Sequence, residues 1–196
     1  MRIIRMTELT VTRWKNGGGV TREIAIERRG ETLVWRLSMA DVASDGPFSN
    51  FAGLQRILTV INGVGMDLLS PLGILHADYG RPVRFDGGMR VEAKLRDGPI
   101  RDFNLIFDPL FCIGEISPLV GPHRRNLYAS PHRIVAIHGL YGTIELDQDK
   151  HLHVGDTALI ESGGSQLNLA SGVSALLITL VLSSQADASK VATAER

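Results

Sequence analysis

Gln55-Arg56-Ile57-Leu58-Thr59-Val60-Ile61-Asn62-Gly63 is a β-branched run that stops on Asn-Gly, the pair that suits a tight hairpin turn. It has an echo in Pro131-His132-Arg133-Ile134-Val135-Ala136-Ile137-His138-Gly139. Aligned on Gly63 and Gly139, the two segments lie 76 residues apart, and each leads into another strand-like run. A fixed offset of this kind reads as two similar β units in one chain.

The rest of the chain fits an all-β reading. Its 196 residues are 44% hydrophobic, enough for a sizeable core. The 21 glycines and 8 prolines are spread throughout, and no stretch before residue 184 keeps a helical period for three turns. Expected strands are Ile3 to Met6, Thr21 to Arg28, Leu33 to Ala40, Arg56 to Asn62, Gly65 to Leu69, Val83 to Phe85, Arg90 to Leu95, Asn104 to Phe107 and Cys112 to Ile116. After a polar loop from Gly121 to Pro131 come Arg133 to His138, Thr143 to Leu146, Ala158 to Glu161, Leu167 to Leu169 and Ser174 to Leu182. The tail from Ser183 is polar and reads as frayed or loosely helical.

Charge and cysteine content exclude several function classes. Lys plus Arg and Asp plus Glu are both 21, so no basic excess announces nucleic acid. The N-terminus lacks a signal-peptide core, and the apolar run Val173 to Leu182 is too short to span a bilayer. The single Cys112 excludes an intrachain disulfide, fits a reducing cytoplasm and reads as a buried inert thiol.

The second unit continues with His153-Val154-Gly155-Asp156-Thr157-Ala158-Leu159-Ile160-Glu161-Ser162-Gly163. A Gly-Asp turn, a strand and a second glycine turn in this order resemble a cupin segment. The resemblance implies a bicupin, an RmlC-like double-stranded β-helix with two cupin barrels in one chain, and barrel closure removes sheet edges. It places one half over residues 1–120, another over 121–183 and a flexible tail over 184–196, the halves forming one integrated unit.

Many cupins hold a metal through G(X)5HXH(X)3-4E(X)6G and G(X)5PXG(X)2H(X)3N, and neither motif is met here. With Gly139 as the end of the first, the glutamate position is His132 and the histidine pair falls on Asn126 and Tyr128, or on Arg125 and Leu127. With Gly155 and Gly163 in the second, Glu161, Gln166 and Ala170 take the remaining places. In the first unit Gly63 puts Arg56 at the glutamate position, where it would repel a cation. His151-Leu152-His153 has paired spacing but follows turn residues, so it reads as an exposed hairpin. His76, His123 and His138 read as loop or packing histidines. No metal and no cofactor is expected.

The first unit carries a different chemistry. Trp14-Lys15-Asn16-Gly17-Gly18-Gly19-Val20-Thr21-Arg22-Glu23 sets polar side chains around three glycines, either as a glycine turn ahead of a strand or as a ligand loop. It lacks the spacing of a phosphate loop. Arg36 and Ser38 share a strand face opposite Trp35, Leu37 and Met39. Arg56 takes the lumen position, and Asp102 and Asn104 share a face. Arginines with a carboxylate, amides and a hydroxyl suit a small anion through guanidinium–carboxylate pairing. The structural alternative for Arg36 and Asp102 is an internal salt bridge closing the barrel.

Together with Asp45-Gly46-Pro47-Phe48-Ser49, Phe51, Gly53 and Asp102-Phe103-Asn104, these motifs resemble the HutD/Ves family over nearly the whole chain to residue 182. The resemblance implies a cytoplasmic bacterial protein without established enzymatic activity. It is expected to bind a small carboxylate of histidine degradation, urocanate or formimino-glutamate, and to limit induction of that pathway. Other members are described as stress-induced. Carried over by motif, the ligand-binding candidates are Lys15, Asn16, Thr21, Arg22, Glu23, Arg36, Ser38, Ser49, Arg56, Asp102 and Asn104, with no catalytic residue among them.

Two further readings stand beside the sensor. One is a metal-free isomerase or lyase on a similar acid, with Glu23 or Asp102 as general base and Lys15 or Arg36 stabilising the anion. No sequence-near Ser/His/Asp or Cys/His arrangement supports it. The other is an interaction protein with a vestigial pocket. Expected partners are a small carboxylate metabolite, no nucleic acid and no membrane, with homodimerisation through edge strands left open.

Overall fold

A computed structural model describes residues 1–183. In chain order its strands are β1 (Arg2–Ile4), β2 (Val11–Arg13), β3 (Gly19–Arg29), β4 (Thr32–Val42), β5 (Gly46–Pro47), β6 (Gln55–Asn62), β7 (Gly65–Ser70), β8 (Gly73–Asp78), β9 (Val83–Asp86), β10 (Glu92–Leu95), β11 (Ile100–Phe107), β12 (Cys112–Val120), β13 (His123–Ala129), β14 (Arg133–Tyr141), β15 (Ile144–Leu146), β16 (Lys150–Leu152), β17 (Thr157–Ile160), β18 (Gly163–Leu169) and β19 (Ser174–Leu182). Among the described residues the only helical element is a 3-10 turn at Met6–Glu8, and no helix is long and apolar enough to cross a membrane.

The chain divides into two compact units. One is Leu9–Asp108; the other joins Met1–Glu8 to the chain from Pro109 onward. The expected halves met at residue 120. The boundary falls earlier because β12 pairs along its whole length with β19, Cys112 opposite Leu182 and Val120 opposite Ser174. The opening residues join the same unit because β1 pairs with β17. The expected tail, 184–196, lies outside the described residues.

In the unit Leu9–Asp108, a six-stranded sheet has the order β2-β3-β4-β11-β6-β9 and a four-stranded sheet the order β5-β10-β7-β8. Alternation along β4 and β6 gives each strand one face toward the other sheet. Ala40, Val42, Leu58 and Val60 of the larger sheet are buried with Met66, Leu68, Ala77 and Ala93 of the smaller one. This core fills one end of the space between the sheets and reaches the row containing Arg36 and Arg56 only at Phe85, which stands opposite Arg56.

The other unit is built alike, from sheets ordered β1-β17-β14-β19-β12 and β13-β18-β15-β16. Its core is apolar, with Leu127, Ile137, Ile144, Leu146, Leu167 and Leu177 buried among others. The echo in the sequence is therefore structural, since β6 leads into β7 as β14 leads into β15. Cys112 is buried, and His151 and His153 are exposed.

Several elements depart from the sequence expectation. The segment from Gly121 to Pro131, expected as a loop, contains β13, and all seven of its residues pair with β18. Only Leu127 of that strand is fully buried, so apolar alternation could not reveal it. The hairpin strand β8 is likewise absent from the expected strands, because only Ala77 of its six residues is fully buried. The expected strand Ile3 to Met6 ends at Ile4, where the 3-10 turn begins two residues on.

Asp156 secures that N-terminal segment. Its carboxylate accepts hydrogen bonds from the Met6 amide at 3.0 Å, Arg5 Nη1 at 2.6 Å and the His153 amide at 3.2 Å. Burial works against its ionisation, but these donors outweigh it and hold the carboxyl below the usual carboxylate range. Asp156→Ala is expected to lower stability by about 2 kcal/mol and to speed amide exchange in Arg2–Ile4. Denaturant unfolding and hydrogen exchange check both, and unchanged exchange there would contradict the anchoring role.

Candidate functional site

The site follows from strand register. Antiparallel residues directly opposite each other project to the same side of a sheet. Across β4, β11 and β6 one row reads Arg36, Ile106, Arg56. The next reads Ser38, Asn104, Leu58, and the one after it Ala40, Asp102, Val60. β3 extends the last two rows with Glu23 opposite Ser38 and Thr21 opposite Ala40. Three successive rows thus set two arginines, an amide, two hydroxyls and two carboxyls on one face.

A cavity of about 530 Å³ opens over this face, a volume suited to a small molecule. Its lining includes Lys15, Asn16, Thr21, Arg36, Ser38, Ser49, Arg56 and Asn104 of the expected residues. Thr12, Arg13, Trp14, Ala40, Pro47, Phe48, Phe51 and Ile106 complete it. Trp14, Phe48 and Phe51 appeared in the sequence only as parts of motifs; their rings form the apolar walls, and Trp14 meets Phe48 edge to face at 6.4 Å.

Three expected residues lie elsewhere. Arg22 points to the opposite face, one residue out of phase with Thr21, and pairs with Asp41, which Arg101 also holds. Glu23 lies outside the lining and sits 3.0 Å from Arg36 Nε, off the N–H axis, so the contact is coulombic rather than a hydrogen bond. Asp102 is fully buried behind Asn104 and does not form the salt bridge with Arg36 that the sequence left open.

The glycine stretch is both a turn and part of the cavity wall. It is the hairpin joining β2 to β3, closed by the Trp14 amide donating to the Gly19 carbonyl at 3.0 Å. Asn16 Oδ1 accepts the Gly18 amide at 3.0 Å, and Trp14 Nε1 donates to Thr21 Oγ1 at 2.8 Å. Gly17 has φ 72°, which suits glycine. A Cβ on Gly19 would stand 2.4 Å from the Asp41 carbonyl oxygen and 3.1 Å from the Trp14 ring.

Arg56 dominates the electrostatics. It is 7% exposed, and its Cζ lies 4.7 Å from the Phe48 ring centre, 5.4 Å from Phe85 and 5.8 Å from Phe51. Nε donates to Asn104 Oδ1 at 2.8 Å, and Asn104 Nδ2 donates to Asp102 Oδ1. Among the described residues neither Nη group of Arg56 makes a hydrogen bond or an ion pair. Burial lowers its pKa to about 10; the Asp102 charge opposes this and the Arg36 charge adds to it. Burial pushes Asp102 up to about 7 against the pull of Arg56 and the Asn104 hydrogen bond.

The lining contains no carboxylate and no imidazole. Its guanidiniums, amides and hydroxyls do not fit the divalent metal of many cupins. They fit an anion, which would satisfy the Nη donors that the fold leaves unmatched.

Two outcomes follow from this geometry. Gly19→Ala is expected to destabilise the protein by about 1–3 kcal/mol, because the obstacle is backbone; wild-type stability in urea would contradict it. Asp102 holds its proton more tightly folded than unfolded, so its contribution to stability falls as pH rises from about 4 through about 7. Asp41 and Asp156, with lowered values, act below that window. Asp102→Asn should flatten the profile there, measured as denaturation midpoint against pH.

Comparison with known proteins gives the family of the chain. An uncharacterized 21.2 kDa protein in the hutC 3′ region of Pseudomonas putida is 43% identical over 118 residues, 56% of this chain and 59% of that protein. Protein Ves of Cronobacter sakazakii is 33% identical over 108 residues, 54% of this chain and 60% of its own length. These matches span somewhat under two thirds of the curated relatives. The structure of HutD from Pseudomonas fluorescens SBW25, in a formate condition, superposes with TM-score 0.81 at 30% identity, covering 93% of this chain and 99% of that one. Bacterial pirin from Escherichia coli, at 9% identity and TM-score 0.67, shares the cupin-like β fold alone. The model of the family described as HutD matches residues 6–178, and the chain belongs to that family.

Proposed function

We propose that the protein is a non-catalytic binder of a small carboxylate, acting on histidine degradation by sensing one of its acids, urocanate or formimino-glutamate. The observation that carries this reading is the buried Arg56 guanidinium, whose Nη groups are unmatched beside a cavity that Arg36 also lines. A buried cation without a full set of partners costs several kcal/mol, and an incoming carboxylate would recover part of that through paired N–H···O bonds. Trp14, Phe48 and Phe51 would cover the apolar part of the same ligand, and Lys15, exposed at the hairpin, would meet a second polar end.

The names of two relatives point the same way: one protein lies in a hutC 3′ region, and a HutD was solved in a formate condition. The absence of a carboxylate or imidazole from the lining favours binding over catalysis. Glu23 and Asp102, the bases an isomerase would need, lie outside it. A sensor of this kind would work in the cytoplasm, where its ligand is made.

A thermal-shift panel of urocanate, formimino-glutamate, formyl-glutamate, glutamate, histidine and simple anions, with and without chelator, tests the reading. A true ligand at a hundred times its dissociation constant should stabilise by about 2.7 kcal/mol, several degrees in Tm. Arg56→Ala should abolish the shift. Binding that survives Arg56→Ala, or turnover of any acid by the purified protein, would overturn it.

A further inference from the structure

Asp102 occupies an unusual place beside the cavity. It is fully buried and does not line the cavity, yet one amide separates it from the cation that does. Arg56 Nε donates to Asn104 Oδ1 at 2.8 Å, and the other end of the same amide donates to Asp102 Oδ1. Asp102 Oδ2 has no hydrogen-bond partner. Its row neighbours are Ala40 and Val60, which offer no countercharge. The charged groups that act on it are Arg56 from β6, which favours the carboxylate, and Asp41 from β4, which opposes it. Asp41 is already tied to Arg22 and Arg101. From β3 the row contributes only the hydroxyl of Thr21.

The ionised form of Asp102 therefore depends on one nearby positive charge. An anion on the Arg56 guanidinium would cancel that charge as felt through Asn104. The carboxylate would then keep only the Asn104 amide and the Ala40 backbone as donors in an otherwise apolar row, and the balance moves toward the neutral acid.

We propose that anion binding at Arg56 is coupled, through the Asn104 amide, to uptake of one proton from solvent by Asp102. The coupling rests on the reading of the cavity as an anion site. It makes the protein respond jointly to ligand and to pH. Arg56 remains a cation throughout the relevant range, so the proton goes to the carboxyl. In the absence of ligand Asp102 changes charge at about 7. Linkage then makes anion affinity nearly constant below that point and lower by about tenfold in all above it, levelling off once Asp102 is ionised in both states.

The test uses wild-type protein and sodium formate, which stays ionised across the range. The Asp102 carboxyl carbon is followed by NMR as pH is varied, with and without saturating formate, while the Arg56 Nε signal reports occupancy. The expected result is a moving Arg56 signal together with an Asp102 midpoint raised by about one pH unit. An Arg56 signal that moves while the Asp102 midpoint stays fixed overturns the coupling and leaves the anion site standing. An Arg56 signal indifferent to formate and to the pathway acids overturns the anion site, and the coupling with it. In a second arm, Asp102→Asn should bind formate with an affinity independent of pH; a variant that keeps the wild-type slope overturns the coupling.

Discussion

The register of β11 between β4 and β6 is the constraint on which the cavity depends. Asn104 stands opposite Ser38 on one side and Leu58 on the other. Because side chains alternate with a period of two, a slip of one residue would turn Asp102, Asn104 and Ile106 to the other face. Arg56 would then lose the acceptor for its Nε, while Asp102 and Asn104, two residues apart on one strand, would turn away from it together. The apolar rows around Leu58 and Val60 resist such a slip, since it would also empty the core they fill. Packing below the site thus fixes the polar groups above it, and the cost of a buried guanidinium is borne by a sheet that cannot easily rearrange.

The two units show what the same architecture does with and without polar rows. In the unit built on Pro109 onward, the space between the sheets is filled with leucine, isoleucine and valine. In the unit Leu9–Asp108 the apolar filling stops short, and arginine, serine and asparagine take the remaining positions. The sequence echo aligns Arg56 with His132, yet only Arg56 is buried; His132 is exposed. A shared fold has been given a candidate site in one unit, which agrees with function residing in particular side chains rather than in the fold.

Much of this was legible from alternation and turn chemistry. The faces of β4, the run ending in Asn62-Gly63 and the Gly155-Asp156 turn could all be read from residue types with a period of two. The same rule separates Arg22 from its neighbours Thr21 and Glu23, since adjacent strand residues face opposite ways; only the motif resemblance grouped all three. Strand β13 was hidden because its pairing uses backbone atoms that composition does not report, while its side chains are mostly polar and exposed. The partner of Asp102 was hidden for another reason. Choosing between Arg36 and Asn104 needs the register of β11 against β4, strands far apart in the sequence, and a single sequence gives no such offset. The aromatic walls were visible as residues but not as walls, because Trp14, Phe48 and Phe51 come from a hairpin and a connecting segment whose approach is tertiary.

The attachment of Met1–Glu8 to the later unit bears on the order in which the protein can assemble during synthesis. The first strand has no partner until Thr157–Ile160 has been made, and the carboxylate that holds Arg5 and Met6 arrives with it. Residues Leu9–Asp108 are complete well before that point and contain both of their own sheets. The unit with the cavity can therefore close while later residues are still emerging, and Met1–Glu8 must wait until Thr157–Ile160 has been made. Their pairing spans a long sequence separation, the kind of contact that slows closure. Residues made before the cavity unit are thus able to find their place only after it.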